Sequence, residues 1–184
     1  YPAKGGTAAV QEFMSSAERS LRASGVPCPT ISSGGSPDMW QAHEAPIVTE
    51  YRVGTYIYND CSLVAGGICG WEDCALSVLT TVVSVPAPGR AIIDAGSKAL
   101  SSDLLGLDSY GHIVDHPQRH IVKLSEEHGH LEYPVEVKPL QVGQRLRVIP
   151  NHACVVSNLF DEVMFVRNGV FEKVVPVAAR GRST

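Results

Sequence analysis

Arg145-Leu146-Arg147-Val148-Ile149-Pro150-Asn151-His152-Ala153-Cys154 is the stretch on which the reading of this chain turns. Its first half alternates basic and apolar residues, the period of a β-strand with one buried face. If the strand runs on past Pro150, His152 and Cys154 project from the same face, because side chains repeat every second residue. An imidazole and a thiolate side by side make half of a zinc site. On spacing alone the pair also reads as a strand end carrying one buried thiol and one solvated imidazole. Pro150 has no N–H to give a ladder, which predicts an edge or a strand end at this point.

Outward from that stretch, residues 78–85, 90–94, 120–125, 144–149, 162–167 and 170–177 are short β-type runs divided by Gly, Pro and Asn. Asn168-Gly169 between the last two is a two-residue hairpin signal, and Pro86-Ala87-Pro88-Gly89 marks another turn. Residues 60–184 are therefore expected to form an all-β domain, a mainly antiparallel barrel or sandwich. His112, His116 and His120 recur at a spacing that would ladder a metal on a helix, but Gly111 and Pro117 break such a helix and predict a loop.

The first third has a different character. Val10, Phe13, Met14, Ala17 and Leu21 predict an amphipathic helix over 7–23, stopped by Gly25 and Pro27. A short β run then meets Ser33-Gly34-Gly35-Ser36, and Pro37-Asp38 opens a helical turn. Strand, Gly-Gly turn and helix start offer backbone N–H groups to a phosphate, although most such stretches are only loops. Residues 47–59 give a further β run, so residues 1–59 read as the last units of an α/β layer.

The 184 residues are 44% hydrophobic and 18% charged, an ordinary globular composition. A net charge of −4 without any Lys/Arg block speaks against nucleic acid or an anionic membrane as partner. Residues 76–85, the longest apolar run, fall short of the roughly 20 residues of a membrane span. Five cysteines at irregular spacing do not resemble a disulfide framework and favour a reducing, cytoplasmic setting. Cys69 and Cys74 are expected to be buried thiols rather than a metal pair. Tyr1-Pro2-Ala3-Lys4 carries no secretory leader, and the chain starts without Met, as a processed product or fragment would.

Five motifs in order carry a family resemblance over nearly the whole chain. They are Ser32-Ser33-Gly34-Gly35-Ser36-Pro37, Tyr51-Arg52-Val53-Gly54-Thr55-Tyr56, Asp94-Ala95-Gly96-Ser97-Lys98, Ser125-Glu126-Glu127-His128-Gly129 and Pro150-Asn151-His152-Ala153-Cys154. The chain resembles the C-terminal half of the fold-type III pyridoxal-phosphate enzymes of the D-threonine aldolase and D-serine dehydratase family. The resemblance implies that residues 1–59 are closing βα units of an alanine-racemase-like TIM barrel, with residues 60–184 the β domain that completes the active site. It implies a missing N-terminal barrel half and a homodimer. Ser33, Gly34, Gly35 and Ser36 would hold the cofactor phosphate, and Tyr51, with Glu50 and Arg52, would lie near the pyridine ring. His152 and Cys154 would be the metal ligands and catalytic residues. His128 would support them or carry a proton, unless it is simply a solvated turn residue.

The family bonds its cofactor to a lysine in the N-terminal half. Lys4, Lys98, Lys123, Lys138 and Lys173 lack that context, so this chain alone is expected to be inactive. Within the family a His-x-Cys pair resembles the zinc-dependent dehydratases and His-x-Asp the manganese-dependent aldolases, and thiolate softness favours zinc. The expected function is a lyase on D-β-hydroxy amino acids, of the D-serine or D-3-hydroxyaspartate dehydratase type. The alternatives are a D-threonine aldolase, the metal-free racemase branch, and an inactive metal-binding β domain.

Overall fold

A computed structural model describes residues 6–182 of the chain. They fall into two compact units, one running up to Ile57 and including Leu63–Gly70, the other comprising Tyr58–Ser62 and the chain from Trp71 onward. Lys4 lies outside the described residues.

The first unit carries little regular structure. Helix α1 (Gly6–Ala23) forms where the three- and four-residue spacing places it, but its apolar stripe is not buried: Phe13 is 68% and Leu21 44% exposed. Strands β1 (Ser32–Ser33) and β2 (Glu50–Tyr51) are two residues each and pair in parallel. The expected β run over 47–59 is thus mostly irregular, ending in a 3₁₀ turn at Thr55–Ile57. The helix expected after Pro37 is also 3₁₀, spanning Ser36–Glu44 and kinked at Asp38. Thr49 clamps the strand pair, its hydroxyl accepting from Ile31 N–H at 2.8 Å while its own N–H donates to Ile31 O at 2.9 Å.

After α2 (Cys61–Ala65), the second unit is built on a closed antiparallel barrel. Its strands are β3 (Val78–Ala87), β4 (Arg90–Ile93), β5 (His112–Ile113), β6 (His120–Leu124), β7 (Gly129–Glu132) and β8 (Arg145–Ile149), in the spatial order β3-β4-β7-β6-β5-β8. Strand β8 closes it, pairing Val148 with Val78 of β3 on one side and with Ile113 of β5 on the other. Alternation explains the closure: Leu146 and Val148 point in, Arg145 and Arg147 point out. They meet Val82, Ile93, Ile113, Ile121 and Leu131 in one core, each such side chain worth about 1.5–3 kcal/mol once buried. His112 and His120, expected in a loop, are instead paired across β5 and β6; only His116 lies in the intervening turn.

Two of the family motifs turn out to be each other's partners. Helix α3 (Ser97–Leu100) begins against the β6–β7 turn, with Ser97 N–H donating to Ser125 O at 2.9 Å and Lys98 N–H to Glu126 O at 3.1 Å. The Lys98 ammonium, exposed, pairs with Glu127 at 2.6 Å and Glu126 at 3.1 Å. Gly129 closes the packing, since a Cβ there would stand 2.8 Å from Ala95 O and 2.9 Å from the Ile93 side chain. Last come helix α4 (Ala153–Leu159) and the hairpin of β9 (Glu162–Arg167) and β10 (Val170–Pro176), which pair with each other alone. Asn168 (φ 51°) and Gly169 (φ 77°) make its turn left-handed, as the dipeptide predicts.

Candidate metal-donor junction

The strand of 145–149 does not continue to Cys154. It stops at Ile149, and Pro150-Asn151-His152 turns the chain into α4. His152 is the extended N-cap residue (φ −134°, ψ 95°), and Cys154 sits in the first helical turn. The expectation that both project from one strand face is therefore wrong. What overrides it is a cap supplied from far away in sequence: the fully buried Asp60 carboxylate accepts Ala153 N–H at 2.9 Å and Ser62 Oγ at 2.6 Å. Cys61 N–H donates to Pro150 O at 3.0 Å and its thiol to Ile149 O at 3.2 Å, so residues 60–62 brace the whole turn. Burial pushes the Cys61 thiol up to about 12, leaving it a neutral donor.

Asn151 explains how the imidazole is held. It is 2% exposed, and its amide donates to Asp103 O (3.1 Å), Leu104 O (3.2 Å) and Ser109 O (2.8 Å). The 103–109 loop is thereby fixed beside the turn, and Asp103 Oδ2 reaches His152 Nδ1 at 2.7 Å. A carboxylate only accepts, so Nδ1 carries the hydrogen and Nε2 keeps its lone pair for a metal or a proton. The ring is about one-third exposed, and Cys154 is exposed. Among the described residues no group of three or more His, Cys, Asp or Glu side chains is disposed to hold a metal.

The other expected site residues lie elsewhere. His128 is exposed in the β6–β7 turn, where its carbonyl accepts from Ser125 N–H at 2.8 Å; it makes no hydrogen bond to His152 or Asp103. In the first unit, Ser33 and Ser36 are buried, and the Ser36 hydroxyl accepts Gly54 N–H at 3.4 Å. Gly34 (φ +83°) packs its bare Cα against the Tyr51 ring, which any Cβ would strike. The Tyr51 hydroxyl is buried with no hydrogen bond of good geometry, Asp38 being its polar neighbour, and burial, reinforced by Asp38, pushes it up to about 12. An acceptor-rich group at the turn would compete with Asp38 for that hydroxyl. Gly35 fits less well: its N–H already donates to Asp38 Oδ1 at 3.2 Å. Cys69 and Cys74 are half-buried rather than buried.

Solved structures overlay this architecture closely, and they define its class. The chain matches D-threo-3-hydroxyaspartate dehydratase from Delftia sp. with a TM-score of 0.77 and 32% identity, covering 91% of this chain and 49% of that one. It matches an alanine-racemase-like protein from Idiomarina loihiensis with a TM-score of 0.67 and 27% identity, covering 88% and 50%. The fold is that of the alanine-racemase-like, fold-type III enzymes.

Residues 75–166 match the family model described as "Putative serine dehydratase domain", and the chain belongs to that D-serine dehydratase and D-threonine aldolase family. In sequence it is 36% identical over 162 residues to the Delftia dehydratase and 32% identical over 166 residues to D-threonine aldolase of Arthrobacter sp.. These matches take in 78% and 89% of this chain and 42% of each relative. The chain thus spans about half the length of the curated relatives it matches. Two further structures of the dehydratase carry a histidine-to-alanine and a cysteine-to-alanine substitution two positions apart, the second in a metal-free form.

Sequence reasoning missed Asp103, Asp60 and the bracing role of Asn151. Only Asn151 carried a signal, lying inside a recognised motif; Asp103 and Asp60 act across 49 and 93 residues of chain.

Proposed function

We propose that this chain is the C-terminal part of a metal- and pyridoxal-phosphate-dependent lyase acting on D-β-hydroxy amino acids, of the dehydratase type. The observation that carries the reading is His152, held through Nδ1 by Asp103 and one-third exposed, two residues before an exposed Cys154. The substituted histidine and cysteine of the Delftia dehydratase have the same spacing, and one of those variants is described as metal-free, which supports a metal role for the pair here. A thiolate beside an imidazole suits zinc over manganese. Such a metal, when bound, supplies Lewis-acid activation of a substrate hydroxyl.

The chain's own residues do the positioning. Asp103 fixes the imidazole tautomer, Asn151 fixes Asp103's loop, and Asp60 fixes the helix that bears Cys154. In the first unit, Ser33, Gly34, Ser36 and the buried Tyr51 hydroxyl fit a phosphate-bearing cofactor; Gly35 and Tyr51 would first exchange Asp38 for it. Pyridoxal phosphate, when bound, supplies an electron sink for the substrate Cα. The bonding lysine and the rest of a TIM barrel belong to an N-terminal half, in a homodimer.

His152-x-Cys154 favours dehydration over aldol cleavage, which stays the second reading because an aldolase stands among the relatives. The test joins this chain to an N-terminal half and assays D-serine, D-threo-3-hydroxyaspartate and D-threonine for keto acid and for aldehyde. Keto acid with stoichiometric zinc, lost in Cys154→Ser while cofactor absorbance stays, supports the dehydratase. Aldehyde alone, or full activity in Cys154→Ser, overturns it.

A further inference from the structure

At the other end of the barrel, beyond the start of β8, lies a cavity of about 600 Å³. It is lined by His116, Arg119, Lys138, Gln141 and Gln144, with no Asp or Glu in its wall. Val114 N–H donates to Arg147 O, tying the β5–β6 turn to the middle of β8, and Gln144 in the wall directly precedes that strand. Five residues of β8, about 16 Å, therefore separate it from the His152 turn.

Arg119 is the unusual member. It is 7% exposed, yet it makes no ion pair with any described carboxylate. Asp115, the acid nearest in sequence, is turned outward, its side chain 81% exposed and directed at Arg147 at 3.7 Å. The guanidinium instead donates to neutral acceptors, His116 Nδ1 at 2.8 Å and Lys138 O at 2.6 Å, and lies 5.3 Å over the Tyr133 ring. Its Nε–H is buried without any acceptor. A guanidinium does not deprotonate in proteins, so a full positive charge is held here without a counter-charge. Buried charges of this kind persist where something of opposite sign completes them.

The rest of the wall agrees. His116 accepts from Arg119 through Nδ1, which leaves its Nε2–H as a donor. Burial, with Arg119 beside it, holds that ring below its usual pKa against a smaller pull from Asp115. Lys138 is exposed at the rim and adds a second positive charge. Gln141 N–H donates to Gln144 Oε1 at 3.3 Å, so the amide end that Gln144 can still offer is its NH₂. The wall is rich in donors and poor in acceptors.

We propose that this cavity binds a small oxyanion, a carboxylate- or phosphate-bearing molecule, with Arg119 and Lys138 as its charged anchors. The site lies wholly within the second unit and stands whether or not His152 and Cys154 bind metal.

The test is a ¹⁵N-resolved NMR titration of the 184-residue chain with inorganic phosphate and, separately, malonate, sodium chloride holding the ionic strength constant. Saturable shifts centred on Arg119, Lys138 and Gln144 are expected, and the tighter ligand names the preferred oxyanion. Lys138→Ala and Gln141→Glu change exposed side chains and leave the fold intact. The first should weaken binding several-fold, and the second, which sets a carboxylate at the rim, by roughly tenfold or more. No saturation at tens of millimolar, or equal affinity in Gln141→Glu and the parent chain, overturns the proposal.

Discussion

Replacing Asp60 by alanine probes the buried cap of the turn that carries His152 and Cys154. The carboxylate is fully buried and accepts at least two hydrogen bonds, from Ala153 N–H at 2.9 Å and Ser62 Oγ at 2.6 Å. Ala153 is itself fully buried, so its N–H finds no water once the acceptor is gone. Hydrogen bonds to a charged group are worth about 1.5–3 kcal/mol each, and the loss of two sets the expected cost of Asp60→Ala at about 3–6 kcal/mol. Against a total stability of about 5–15 kcal/mol this is a large share. Asp60→Asn keeps one carbonyl oxygen and should cost about 1–2 kcal/mol. Urea denaturation followed by tryptophan fluorescence measures both, with the exchange rate of the Ala153 amide as a local readout. A loss under about 1 kcal/mol for Asp60→Ala, with Ala153 exchange unchanged, would refute the reasoning. The turn would then be held by Asn151 and the strand alone.

The remaining expectations concern the imidazole, the motif packing and pH. Asp103→Asn can offer an amide N–H to Nδ1 and drive the hydrogen to Nε2; zinc affinity should fall about 10–100-fold, read by competition with a chelator, and the ring tautomer should switch in ¹⁵N spectra. Gly129→Ala brings a methyl to 2.8 Å from Ala95 O and should destabilise the barrel by about 2–4 kcal/mol in denaturant, whereas Gly143→Ala, which meets nothing within 4 Å, should cost less through its backbone strain alone. The Cys61 thiol, raised from its ordinary 9.0 to about 12, stays protonated in the folded chain after the unfolded chain has lost the proton. Stability should therefore be whole below pH 9 and fall as pH rises from 9 toward 12, by at most about 1.4 kcal/mol per unit; Cys61→Ala should flatten that slope.

Much of the barrel was legible because its strands show a period of two. Strands β3, β4, β6, β8, β9 and β10 lie within two residues of the runs read from alternation and turn residues. Strands β5 and β7 were not legible: a pair of two residues and the run Gly129-His130-Leu131-Glu132 are too short to show a period, and neighbouring strands define them. Helix α4 was misread for a related reason. Ala153-Cys154-Val155-Val156 favours a strand by composition, and the carboxylate that caps it as a helix is 93 residues distant. His152 and Cys154 could be picked out from the chain as candidate donors, whereas Asp103, which pairs with His152, could be found only through space. The α/β portion was legible in order and not in extent, since β1 and β2 stop after two residues each.

Strand β8 is bonded on both edges, and the histidine and cysteine come directly after it in the chain. The scaffold that carries these two side chains is thus complete without an ion, and any metal they held would be bound by a finished barrel. Stripping it with a chelator should leave the melting curve of this unit nearly where it was, the opposite of a small finger domain that collapses without its metal.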